Sequence, residues 1–311
     1  GAFVAGPRGD AAESGDAMSP NRRPNRPGSR VTLGAGGWTI ALALVLVTAA
    51  ALWRVHDMLG SRGNRAVGDG RDPTTYGFGL SEFAGDRGQL AASGLPRDGI
   101  PVLDFPPSWT VARVDSLAHA GRNKYLVSDD RVIGVTENGR ARAYPLMILN
   151  WHEVVNDTLG GVPIAVTYGP LCDAAVVYRR DTAAWRSVGR AWEPPILLGH
   201  SGLMYNSDAL LYDRQPGHVN ESLFNQLTGR AMAGPAAAHG ESLAVLSCAL
   251  TRWADWKTRH PETAVLWRDP ARAEVYKREP YLSYFGDDRL RFPVAPLPVD
   301  HRWLRKTPCL V

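Results

Sequence analysis

The chain has 311 residues, room for one large domain or two small ones with an ample core. Its net charge of +4 is small and scattered, with no basic stripe interleaved with aromatics, which argues against a nucleic-acid partner. Three cysteines, Cys172, Cys248 and Cys309, form no C-x-x-C and no zinc-ribbon spacing, and they leave the redox compartment open.

Residues 1–30 are rich in Gly, Pro, Ser and Arg and offer almost nothing to bury, so the sequence predicts a disordered-type tail. From Val31 to Trp53 no residue is charged. That run is long enough to cross a bilayer as a helix, with Trp38 and Trp53 as interfacial anchors. A buried core helix or a cleaved signal peptide are the competing readings. The first is seldom so uniformly apolar beside such a tail, and the second has a shorter apolar core. Arg22, Arg23, Arg26 and Arg30 crowd the N-terminal flank, whereas Asp57 dilutes Arg54 and Arg62 on the other side. The positive-inside rule then places the tail in the cytoplasm and the body outside, as a single-pass protein. Residues 54–98 read as an irregular tether, and the globular domain is expected over 99–311.

Within that domain, "DRVIGVTENGRARAYPL" alternates apolar and polar residues about Asn138-Gly139, a strong hairpin signal. Pro145 suits the first turn of a following helix, with Ile148, His152 and Val155 on one face and Gly160-Gly161 ending the run. Residues 163–168, 174–179, 209–213 and 241–247 read as strands, and "TRWADWKTRHPE" as a helix capped by Thr251. Many short strands with few helices argue an α+β class built mainly on antiparallel sheet. "NWHEVVND" resembles half of a zinc-protease helix, but Asn156 stands where a second histidine would be needed, and Asn is a poor zinc ligand.

"VIGVTENGRARAYPLMILNWHEVVND", "VTYGPLCDAAVVYRR", "SGLMYNSDALLYDR", "NQLTGRAMAGP", "RWADWKTRHPETAVL" and the closing "YKREPYLSYF" and "RFPV" follow an order and spacing that resemble the domain-of-unknown-function 3179 family over roughly residues 99–300. The resemblance implies a fold and an exported or membrane-anchored setting, but little chemistry. It also implies that H-E-x-x-N-D is the family's own pattern, so Asn156 is not a decayed ligand, and Glu153, Asn156 and Asp157 are expected to cap or brace neighbouring loops. Where the family has T-Y-C-P-L-C, this chain has Thr167-Tyr168-Gly169-Pro170-Leu171-Cys172. A paired C-x-x-C can cycle as a disulfide or clamp a soft metal, and one cysteine can do neither by itself.

Two functional readings follow. The first is a membrane-anchored, non-catalytic accessory subunit of a larger integral-membrane complex, respiratory or photosynthetic by base rate, with no cofactor. Its partner interface would be Arg22, Arg23, Arg26 and Arg30, pairing with acidic loops or anionic lipid, and the small residues Gly34, Gly36, Gly37 and Ala41 on the spanning helix. The second is a metal-binding or thiol-redox enzyme in which His152, Cys172 and His200 hold copper or iron. A surface domain that binds a ligand or peptide is a third option. Cys172 is expected to be buried, reduced and in no disulfide. For the topology, a cysteine probe near Ser29 should resist external labelling in intact cells while one near Gly68 is labelled; the opposite pattern reverses the orientation.

Overall fold

The computed structural model describes residues 67–119, 124–181, 195–218, 220–297 and 306. The apolar run 31–53 and the interface residues Arg22, Arg23, Arg26, Arg30, Gly34, Gly36, Gly37 and Ala41 lie outside them. Among the described residues no helix is long and apolar enough to cross a membrane.

The architecture is α+β and rests on three five-stranded sheets. The first orders β1 (Leu90–Ala92), β9 (Leu197–Tyr205), β10 (Asp208–Arg214), β11 (Leu223–Asn225) and β12 (Ala231–Ala233). The second orders β13 (Val245–Leu246), β8 (Ala174–Arg179), β7 (Val162–Gly169), β6 (Val154–Leu159) and β2 (Leu103–Asp104). The third orders β14 (Cys248–Arg252), β4 (Arg131–Glu137), β5 (Arg140–Pro145), β15 (Ala264–Leu266) and β3 (Ser108–Thr110). Pairing is antiparallel except between β2 and β6 and between β5 and β15. Short helices fill the gaps: α1 (Val111–His119), α2 (Leu146–His152), α3 (Pro235–Ala238), α4 (Trp253–Arg259), α5 (Ala273–Tyr276) and α6 (Leu282–Phe285).

The second sheet is covered on both faces, which explains its near-continuous apolar strands. Successive side chains of a strand point to opposite faces. Thus Val154 and Ala165 join Leu198, Leu211 and Phe224 of the first sheet. Their neighbours Val155, Ile164 and Val166 join Ile133, Val135, Tyr144 and Trp256 on the side of the third sheet. The outer face of the first sheet is covered in turn by Tyr76 and Phe78, which pack on Leu203, Leu210 and Tyr212. Residues 67–98, read from sequence as part of a tether, therefore belong to the folded body: β1 pairs with β9, and Tyr76 is fully buried. Their low apolar content hid this, because a few aromatics do the packing.

The Asn138-Gly139 hairpin forms as expected between β4 and β5, with φ of 47° and 74° at the two turn residues. The helix after Pro145 is much shorter than its pattern suggested. It stops at His152, where Glu153 takes a left-handed conformation (φ 56°), and residues 154–159 are strand. The β-branched Val154, Val155 and Thr158 favour the pleat, and Gly160-Gly161 turn the β6–β7 hairpin instead of ending a helix. Thr251 does not cap α4, whose N-cap position is Arg252 with no side-chain bond. Strand over 241–247 is confined to Val245–Leu246.

A polar seam joins the second sheet to the first. Asn156 Nδ2 donates to Leu198 O (2.9 Å) and its Oδ1 accepts from Leu198 N (3.0 Å), a side chain imitating a strand partner. Arg180, fully buried, donates to the carbonyls of Ile164 (2.8 Å), Ile196 (2.6 Å) and Asp157 (2.8 Å). Asp157 is braced by Tyr144 (2.8 Å) and Arg142. Replacing Arg180 by Met leaves three buried carbonyls without their donor, so Arg180→Met should cost at least about 3 kcal/mol in urea unfolding. An unchanged midpoint would show that the seam is not structural.

Candidate functional site

The α2–β6 junction positions the first groups of the site. His152 closes α2, with Nδ1 2.7 Å from Pro101 O and Nε2 2.8 Å from Tyr276 Oη. A carbonyl only accepts, so Nδ1 carries the proton and Nε2 accepts from the tyrosine. Burial holds the His152 pKa below its ordinary value, which keeps the ring neutral at pH 7. One residue on, the left-handed turn at Glu153 aims its carboxylate between two partners. His200 Nε2 on β9 lies 3.0 Å from one oxygen, and Tyr281 Oη donates to the other at 2.9 Å. His200 Nδ1 accepts from Gly202 N at 3.3 Å, which puts the ring proton on Nε2. A non-glycine residue held at positive φ by its surroundings points to a site under constraint.

Tyr276 and Tyr281 also line a cavity of about 1250 Å³. Its wall continues through Tyr168, Tyr284, Leu146, Met147 and the turn Pro170-Leu171-Cys172. Leu227, Leu282, Phe285 and Leu297 line it too and are well exposed, giving an apolar rim. At one end Cys172 Sγ lies 3.5 Å from Ser207 O and 3.8 Å from Asp208 Oδ1. Asp208 is buried, and its other oxygen accepts from Asn225 Nδ2 (2.8 Å) and Leu227 N (3.0 Å). Desolvation lifts its carboxyl to about 7 despite these bonds. Desolvation, with the Asp208 carboxyl beside it, pushes the Cys172 thiol up to about 12.

The three sequence candidates for a metal do not converge. His152 and His200 have both ring nitrogens committed to hydrogen bonds, and Cys172 belongs to the Asp208 end of the cavity. Among the described residues no group of three or more His, Cys, Asp or Glu is placed to hold a metal ion. Cys172 is a free thiol, as expected, but the residue is exposed and not buried, only its Sγ being turned inward to Ser207 and Asp208. It ends a tight turn, Cys172 N donating to Gly169 O at 3.1 Å, that carries it out to the cavity wall. Cys248 is also free.

Gly169 is glycine for want of space. A Cβ there would meet Gln226 Oε1 at 2.6 Å and Asp208 Oδ1 at 3.2 Å. Gln226 is held in that place, its Nε2 donating to Thr167 Oγ1 (2.9 Å) and Ala174 O (3.3 Å). Sequence reading missed Tyr276, Tyr281, Asp208 and Gln226 as site residues. The aromatic spacing of "YKREPYLSYF" was the available signal for the tyrosines, while nothing local marks Asp208 or Gln226.

A family model described as "Protein of unknown function (DUF3179)" matches residues 97–310. No curated protein and no solved structure matches the chain.

Asp208 makes stability depend on pH. Its folded pKa is raised from 3.8 to about 7, so the stabilisation of the protonated form is complete below the unfolded value and is lost as pH rises through the folded one. Between pH 5 and 7 this one proton contributes a fall of about 1.4 kcal/mol per pH unit. Asp208→Asn, which keeps an oxygen for Asn225 and Leu227, should flatten that part of the urea-midpoint profile; parallel profiles would refute the assignment.

Proposed function

For a chain that belongs to the DUF3179 family, we propose the role of a membrane-tethered accessory subunit whose exported domain holds a small molecule without transforming it. The observation that carries this reading is the tyrosine-walled cavity: large enough for a drug-sized ligand, apolar at its rim, and polar at a few fixed points. Its surrounding titratable groups argue for holding over chemistry. His152 is neutral with both nitrogens engaged, and the Glu153 carboxylate is shared between His200 and Tyr281. The Cys172 thiol points at Ser207 O and the Asp208 carboxyl, neighbours that oppose thiolate formation, which disfavours the thiol-redox reading.

The membrane half of the proposal comes from the uncharged run 31–53 and its arginine-rich flank. It places the protein in a bacterial inner membrane with the domain on the periplasmic side, companion to other subunits of an integral-membrane complex. Two measurements test the two halves. Purification from native membranes should bring stable companions; a detergent-solubilised monomer with none sinks the subunit role. Fluorine NMR should show the full chain binding 1-fluoro-4-propylbenzene, with affinity reduced at least about fivefold by combined Leu282→Glu and Phe285→Glu at the rim, an effect on the scale of the lost apolar contact. No binding by the wild type ends the cavity half.

A further inference from the structure

Three of the four tyrosines of the cavity share a property that their chemistry alone does not require. Tyr281 gives its hydroxyl proton to Glu153 (2.9 Å), Tyr168 gives its own to Asp173 Oδ1 (2.7 Å), and Tyr276 gives its own to His152 Nε2 (2.8 Å). The direction is fixed in each case. Carboxylate oxygens accept, and the protonated Nδ1 of His152, held on Pro101 O, leaves Nε2 as a bare acceptor. A phenol has one proton. With it spent in the wall, each of the three offers an occupant only oxygen lone pairs.

Three of the four basic residues that line the wall are already engaged, Arg278 being the fourth. Arg131 pairs with Asp173 at 3.0 Å, Lys277 with Glu274 at 2.6 Å, and Lys306 donates to Asp287 O at 2.7 Å and to Tyr284 O. At those three an arriving carboxylate would have to compete with partners already seated. It would also meet Asp129, Asp130 and Glu279 in the same wall. An arriving hydroxyl or ammonium finds acceptors without displacing anything.

Resting on the reading of this cavity as a ligand site, we infer that its ligand is an amphiphile with an apolar body and a hydrogen-bond-donating head, an alcohol or an ammonium, and that carboxylates and phosphates bind it less well. The apolar body lies against the Leu227, Leu282 and Phe285 rim, and the head reaches Tyr276 and Tyr281. The preference follows from geometry: at these three acceptor oxygens an acceptor head gains no bond and loses its water, which is the costlier of the two errors.

The experiment uses one scaffold with four heads on the full chain: 1-fluoro-4-propylbenzene, 3-(4-fluorophenyl)propan-1-ol, 2-(4-fluorophenyl)ethylamine and 3-(4-fluorophenyl)propanoate, each titrated by fluorine NMR. The alcohol and the amine should bind at least about tenfold more tightly than the propanoate, a gap of one good hydrogen bond. Tyr281→Phe and Tyr276→Phe should each weaken the alcohol and amine several-fold while leaving the headless probe unchanged. Equal affinities for all heads, a propanoate that binds best, or Tyr→Phe variants that leave the donor-headed probes untouched each overturn the inference. In those cases binding of the headless probe still supports the cavity, whereas a headless probe that does not bind removes the underlying reading as well. Should the Tyr→Phe variants lose the headless probe, the wall has shifted, and the head-group ranking of the wild type decides alone.

Discussion

The seam between β6 and β9 is the constraint on which the rest of this domain depends. The second sheet is apolar on both faces, so nothing in hydrophobic burial alone fixes how the first sheet sits on it. Polar side chains supply that register. Asn156 pairs with both backbone groups of Leu198, Arg180 reaches Ile196 from the end of β8, and Glu153 meets His200. Each is buried, and a buried polar group that misses its partner loses more than an apolar contact does. Sliding β9 by one residue would break all three contacts together. The sheets therefore have one low-energy arrangement, and the cavity wall inherits its rigidity.

That rigidity has a chemical consequence. Glu153 and His152 are neighbours in sequence, yet they face different tyrosines, because α2 ends between them and the chain turns left-handed at Glu153. The same local break that stops the helix thus orients two hydroxyl groups from the C-terminal part of the chain. With the protons of Tyr276 and Tyr281 held inward, the wall's polarity is set before any ligand arrives. Preorganisation of this kind lowers the ordering cost of binding.

Much of this was legible in the sequence, and the failures share a cause. The β4–β5 hairpin, β7 and β8 announced themselves through Asn138-Gly139 and through β-branched runs, β10 through the short apolar run Ala209–Tyr212, and the α+β class followed. The helix through Val155 was misread because Ile148, His152 and Val155 keep helical spacing, while the strand that replaces its second half is dictated by pairing with β7, a tertiary fact. Asn156 was expected to cap or brace a neighbouring loop, and its pairing across the sheets went unread since its partner, Leu198, lies 42 residues away. Residues 67–98 looked like tether because their contribution is a strand of three residues and two buried aromatics. The tyrosine site escaped for the same reason: Tyr276 and Tyr281 acquire meaning only opposite His152 and Glu153, across 124 and 128 residues.

Gly169 is best understood as one half of a pair with Gln226. Its backbone is not in the left-handed region that would call for glycine, so the small side chain answers to space alone. Gln226 fills that space and uses it to tie the end of β11 to Thr167 on β7 and to Ala174 at the start of β8. A cysteine at position 169 and the glutamine amide in its present place exclude one another. Choosing the amide gives the wall a fixed polar link and leaves Cys172 without a neighbouring thiol in its turn. The remaining thiol then sits beside a buried Asp208, an environment that opposes its ionisation at either protonation state of the acid: the neutral carboxyl leaves desolvation in force, and the carboxylate adds repulsion. The glycine at 169 and the opposed ionisation of the thiol at 172 thus follow from one packing arrangement, in which Gln226 and Asp208 crowd the same turn.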